Sequence, residues 1–221
     1  MPRTPLSHLP IESRMLAAKV AIHNALDDAD ILARLTELGY NENKLQQGNA
    51  LVEAVDVLHK KQQVEYGDQY EATDDLLNKW EEANRAYMRA VKVARIAFRD
   101  NIQAQTGLQI SGRRKKTIAG WIDQATVFYH NLKDDQGLMD VMAEFGYTPE
   151  KIDADIALVD AVILAHRVQD QTQGTAQDAT KSRDAQIDAM DAWMSDYVAI
   201  ARIALDAHPQ QLEKLGVFVE S

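Results

Sequence analysis

One stretch of this chain occurs twice. Gly39-Tyr40, Lys44, Ala50-Leu51-Val52, Ala54-Val55, His59, Gln62, Gly67, Ala72-Thr73, Val91 and Ala94-Arg95-Ile96-Ala97 return, shifted by 107 positions, as Gly146-Tyr147, Lys151, Ala157-Leu158-Val159, Ala161-Val162, His166, Gln169, Gly174, Ala179-Thr180, Val198 and Ala201-Arg202-Ile203-Ala204. The register holds without a gap over residues 18–98 against 125–205. Such a repeat constrains the fold more than any local motif, because both copies must build the same elements from one pattern.

Those elements read as helices. Ala, Asp, Leu and Gln are the commonest residues, while Gly (10) and Pro (5) are sparse in 221 residues, a composition of long helices rather than of sheets. Hydrophobic residues make up 46%, enough for a proper core. The expected fold class is all-α: an elongated antiparallel helical bundle of two tandem repeats related by a pseudo-two-fold. Residues 1–10, with Pro2, Pro5 and Pro10, read as an extended lead-in, 11–101 as the first repeat, 102–117 as a basic linker and 118–221 as the second repeat. The two repeats are expected to pack as one domain.

The first helix is expected over 11–38, since among Met15, Val20, Ile22, Leu26, Ile31, Leu32, Leu35 and Leu38 the pairs 22/26, 31/35, 32/35 and 35/38 stand three or four residues apart. Gly39 can supply the left-handed residue that ends it, with Tyr40 packed back over that end. The counterpart is expected over 118–145. A second helix starts near Glu42 in the first copy; in the second, Thr148 is a good N-cap with Pro149 at the first helical position.

The next question is whether the chain turns at Gly67 and Gly174 or runs on as helices over about 42–99 and 148–206. A polar middle favours a turn, but no Pro, Asn-Gly or turn cluster accompanies either glycine. A seven-residue pattern continues in phase across the first glycine, through Val52, Val55, His59, Gln62, Tyr66, Gln69, Thr73, Leu76 and Trp80. A strict seven-residue period marks helices packed along a coiled-coil-like seam, so the continuous helix is the expectation. At 1.5 Å per residue each would span roughly 85 Å, with Ala72-Thr73 near Ala179-Thr180 at the midpoint. The carboxyl-terminal segment from Pro209 resembles the segment around Gly107-Leu108 with a two-residue insertion and reads as a short helical turn.

Two repeated sets of polar residues are candidate sites. His23 and Asp27, matched by His130 and Asp134, stand at i and i+4 on one helix face; imidazole plus carboxylate can ligate Zn, Ni, Cu or Fe. Only two ligands per site are visible, and the bland reading is a surface ion pair or a cap. His59 with Gln62 and His166 with Gln169 form the second set, read as a buried polar layer that fixes helix register. Arg95 and Arg202 interrupt apolar runs and are expected to bridge to carboxylates, with Asp27, Asp134, Glu37 or Glu144 as partners. The run Arg113-Arg114-Lys115-Lys116 near Trp121 reads as a solvated loop, and Trp80, Trp121, Trp193, Tyr87, Tyr129 and Tyr197 as core.

A net charge of −10 argues against a nucleic-acid partner, which needs a basic face. No cysteine occurs, which excludes disulfides, thiolate metal sites and thiol nucleophiles. Neither a signal peptide nor a membrane-spanning run is expected, so the expected location is cytoplasmic. No Gly-rich phosphate loop, nucleophile elbow or paired catalytic acids stand at a telling spacing, so no catalytic residue and no cofactor are assigned. The sequence therefore points to a non-enzymatic scaffold or protein-interaction module with a protein partner or self-association, as in a homodimer. The alternative is a metal- or small-ligand-binding bundle using the repeated His/Asp pairs.

Overall fold

A computed structural model describes residues 9–217; most of the lead-in read from Pro2 and Pro5 falls outside the described residues. All regular structure among them is helical: α1 (Ile11–Asp27), α2 (Ala29–Glu37), α3 (Glu42–Ala97), α4 (Ile102–Gly107), α5 (Ile118–Asp134), α6 (Gln136–Glu144), α7 (Pro149–Ala204) and α8 (Pro209–Lys214). Adding 107 to the bounds of α1 to α4 reproduces those of α5 to α8 throughout. The fold is an all-α helical bundle in which α3 and α7 pack against each other.

Both long helices run unbroken past Gly67 and Gly174. Neither glycine has a positive φ, and a Cβ at either would meet open space. Each is a tolerated helical glycine rather than a turn.

The expected single helices over 11–38 and 118–145 are corrected: each is two helices, broken at Asp28 and Asp135. These aspartates take extended backbone angles (φ −108, ψ 105 and φ −112, ψ 104). A carboxylate at the head of a helix accepts orphan backbone donors and so competes with helix continuation. Asp28 Oδ1 accepts from the amides of Asp30 (3.2 Å) and Ile31 (3.3 Å), and Asp135 Oδ1 from that of Leu138 (3.1 Å). Downstream, Gly39 and Gly146 have φ of 86° and 78°. Each closes its helix with a bond from the next residue, Tyr40 N to Leu35 O (2.9 Å) and Tyr147 N to Met142 O (3.1 Å). Asn41 and Thr148 then cap α3 and α7 through the amides of Lys44 (3.0 Å) and Lys151 (3.4 Å).

The chain divides into two compact units that cut across the copies. Unit one holds the described residues up to Tyr66 together with those from Thr175 onward; unit two is Gly67–Gly174. Unit one therefore joins α1, α2 and the first half of α3 to the second half of α7 and α8. Gly48 faces Trp193, and Gln62 Oε1 accepts from Arg183 Nη1 at 3.1 Å, so the two half-helices run antiparallel there. The core of unit one gathers Ile22, Ile31, Leu35, Leu45 and Val52 with Met190, Tyr197 and Leu205. Unit two joins the second half of α3 and α4 to α5, α6 and the first half of α7, around Tyr87, Val91, Trp121, Phe128, Tyr129 and Leu132.

The stretch 102–117 differs from a linker. It contains α4, and Leu108 and Ile110 are fully buried in unit two. Its basic run is folded onto the unit: Arg114 Nη1 donates to Tyr87 OH (2.9 Å), and its Nη2 donates to the carbonyls of Gln109 (2.6 Å) and Ser111 (3.0 Å). Arg95 is corrected as well. Its Nε and Nη2 donate to the carbonyls of Ile110 (2.7 Å) and Gly112 (3.0 Å) rather than to a carboxylate, because a planar guanidinium satisfies loop carbonyls in pairs. Gln109, just before this loop, has a φ of 49°, where its counterpart is Gly216 at 71°. The segments around α4 and α8 thus match without an insertion. No helix among the described residues is long and apolar enough to cross a membrane.

Candidate functional site

The repeated signature His-Asn followed by Asp-Asp, at 23–24 with 27–28 and at 130–131 with 134–135, separates into two roles. Asn24 Nδ2 donates to the carbonyl of Lys214 (2.5 Å), and Asn131 Nδ2 to that of Gly107 (2.8 Å). Each satisfies an orphan carbonyl at the end of a short helix belonging to the other copy. Asp28 and Asp135 are the N-caps already described. That leaves the proposed ligands themselves: His23, Asp27, His130 and Asp134 are all exposed, and among the described residues no group of three or more His, Cys, Asp or Glu could hold a metal. The structure brings neither pair a third ligand.

The second set is corrected in its burial. His59, Gln62, His166 and Gln169 are half-buried, and their partners differ between the units. His59 Nε2 lies 3.3 Å from Glu12 Oε1, and Gln62 takes the Arg183 bond. His166 Nδ1 stands 3.5 Å from Asp170 Oδ2 on its own helix. These residues sit at the edge of the packed seam and not as a buried layer across it.

Unit two contains a polar cluster that the repeat conceals, because its central pair, Tyr129 and Asp155, is not shared between the copies. Tyr129 OH donates to Asp155 Oδ2 at 3.0 Å. Burial raises the Asp155 carboxyl above its ordinary value, against the Tyr129 bond and the charges of Lys151 and Arg89. Burial, with Asp155 beside it, pushes Tyr129 far above the ordinary phenol value, and Tyr147 is raised by the same two causes. Lys151 Nζ lies 3.8 Å from the Tyr147 ring centroid, a close cation–π contact. At the equivalent places unit one has Ile22 and Gly48 instead of Tyr129 and Asp155. A carboxylate that holds a phenol in this way anchors α5 to α7.

The open feature of unit two is a cleft of about 580 Å³ between the end of α3, α4, the end of α5 and α6. Phe98, Leu138 and Val141 form its apolar side, and Asn101, Asn131 and Asp135 line it with polar groups. Its volume lies in the range of small-molecule sites. Two glycines on its wall, Gly107 and Gly137, stand where unit one has Lys214 and Asp30. In unit one the Lys214 ammonium reaches Asp28 Oδ2 at 2.9 Å, and the hollow of about 450 Å³ there is walled by residues 207–211 and Lys214 alone. The signal for the cleft was present in the sequence as a difference between copies, Gly107 against Lys214, where attention falls on what the copies share.

Compared with models of protein families, with curated proteins and with solved structures, the chain matches none.

Proposed function

We propose that this protein is a non-enzymatic helical scaffold, a protein-interaction module that works through its exposed helix faces, with self-association into a homodimer as one form of that contact. The observation that carries the reading is a set of exposed apolar side chains kept at equivalent places in both copies. Leu38 and Phe145 are 43% and 46% exposed, Val57 and Leu164 64% and 58%, and Ile96 and Ile203 56% and 63%. A single exposed Leu carries no information. Apolar identity held at three equivalent exposed positions, in copies that differ at most others, is what a contact surface requires. Support also comes from the polar residues of the site, whose described bonds cap helices and join elements. Cytoplasmic placement belongs to this reading as its default location.

The test replaces Ile96 and Ile203 with Glu together and, separately, Leu38 and Phe145. Cross-linking mass spectrometry of cell extracts and sedimentation velocity of the pure protein are then compared with wild type at matched melting temperature. Loss of a defined set of cross-linked partners, or of a dimer, is expected. An unchanged partner set and unchanged sedimentation in both variants would sink the proposal.

A further inference from the structure

We propose that the cleft of unit two is a binding site for a primary alkylammonium group, with Asp135 as the carboxylate that receives it and Phe98, Leu138 and Val141 as the apolar wall for its aliphatic stem.

The inference rests on the comparison of the two units at equivalent residues. Asp28 and Asp135 are both N-caps with one oxygen committed to backbone amides. In unit one the other oxygen of Asp28 takes the ammonium of Lys214, which sits at the end of α8. In unit two the residue at that place is Gly107, at the end of α4, and among the described residues no cation lies within ion-pair distance of Asp135. A side chain present in one copy is thus missing from the other, and the space opens into the cleft. The occupant that the geometry recognises is the missing one: an ammonium on a flexible aliphatic stem. Lys214 shows that a carboxylate at the head of this helix accepts an ammonium despite the positive end of the helix dipole. The flanking groups agree. The Asn101 and Asn131 side chains are engaged by the Ala104 amide and the Gly107 carbonyl, which leaves Asp135 as the charged group on the wall. An exposed ion pair alone contributes little, so the apolar wall must supply much of the affinity, and a stem of several methylenes is part of the recognition.

Two sources carry this chemistry, a free aliphatic amine and a lysine side chain of a partner protein. The experiment is a titration of the full chain followed by amide NMR shifts at Gly107, Gly137 and Leu138, with n-butylammonium and 1,4-diaminobutane as probes and 1-butanol as the uncharged control. Saturable, one-site shifts confined to these residues are expected for the amines. N-acetyl-lysine methylamide separates the sources: tighter binding of this capped lysine points to a protein partner, tighter binding of diaminobutane to a free amine. The variant Gly107→Lys installs the plug of unit one, and a Cβ there meets open space; it should weaken amine binding at least tenfold. Asp135→Asn keeps the helix cap and should weaken it similarly. Lys214→Gly opens the equivalent place in unit one and should add a second set of shifts near Asn24 and Asp28. The proposal is overturned if the amine shifts do not saturate, if 1-butanol binds as well as butylammonium, or if Gly107→Lys and Asp135→Asn bind like wild type. Should either variant unfold, the amine-against-alcohol comparison and Lys214→Gly still decide.

Discussion

Units one and two have the same skeleton and different fillings. At equivalent positions Ala21 and Tyr197 in unit one become Phe128 and Ala90 in unit two, all four buried. The large ring has moved from the long helix to the short one, and the volume is kept, as a close-packed core requires. Tyr197 OH also donates to the Ala21 carbonyl at 3.0 Å. Arg14 and Asp191 form an ion pair in unit one, and the residues at the same places in unit two, Trp121 and Asn84, form a hydrogen bond of 2.9 Å from the indole nitrogen. Gly48 makes room for the Trp193 ring where unit two has Asp155 and Ala86. Every one of these pairs takes one partner from each copy. The copies have therefore diverged in step, each compensating within a unit for a change in the other.

The sharpest way to break that comparison is Phe128→Ala, which should cost about 3–5 kcal/mol in chemical denaturation, the range for removing a buried aromatic. Adding Ala90→Tyr transplants the filling of unit one and should recover part of the loss. If the double variant is no better than the single, the size exchange is not an exchange. Next comes Gly48→Ala. Its Cβ would stand 2.3 Å from the Trp193 ring, which is stacked on Tyr197 and cannot swing aside. A loss of about 1–3 kcal/mol is expected, the usual scale for overpacking, and Trp193→Ala in the same chain should relieve the clash. Asn84→Ala leaves the buried Trp121 indole donor without its partner and should cost about 1–3 kcal/mol, measured against Asn84→Asp, which keeps an acceptor.

The smallest effects oppose each other in sign. Asp155 is raised in the folded state by burial, so its contribution is present at low pH and lost as pH rises through its folded value. Asp28 is lowered, chiefly by its bond from Lys214 and then by the Ile31 amide, so its contribution is present above the ordinary carboxylate range and lost as pH falls. Melting temperatures of Asp155→Asn and Asp28→Asn relative to wild type should accordingly diverge as pH is raised from about 2 to 7, upward for the first and downward for the second. Parallel slopes would remove the distinction.

The repeat made much of this fold legible. The continuous helices past Gly67 and Gly174 follow from an uninterrupted seven-residue pattern, and Gly39 and Gly146 end their helices as left-handed residues should. The breaks at Asp28 and Asp135 were less legible, since an aspartate inside an apolar periodicity reads equally as a surface residue or a cap. The same ambiguity made Asp27 and Asp134 look like ligands when their neighbours were doing the hydrogen bonding. Arg95 was misread because its acceptors are backbone carbonyls, which leave no trace in side-chain patterns. The cleft left only a faint trace for a related reason: the difference of Gly107 from Lys214 is in the sequence, but the folded neighbourhood of Asp28 and Lys214 is what shows the space it opens.

The division of the chain has a consequence for its synthesis. Unit two is an uninterrupted stretch and can close once residue 174 has left the ribosome. Unit one opens with α1 and cannot close until α8 is made. During that interval the apolar faces of Met15, Ile22, Ile31 and Leu35 wait for Met190, Tyr197 and Leu212. The nascent chain therefore carries an uncovered half-core while all of unit two is made, and in that window a holdase, or the same half-core on a neighbouring polysome, competes with the native partner.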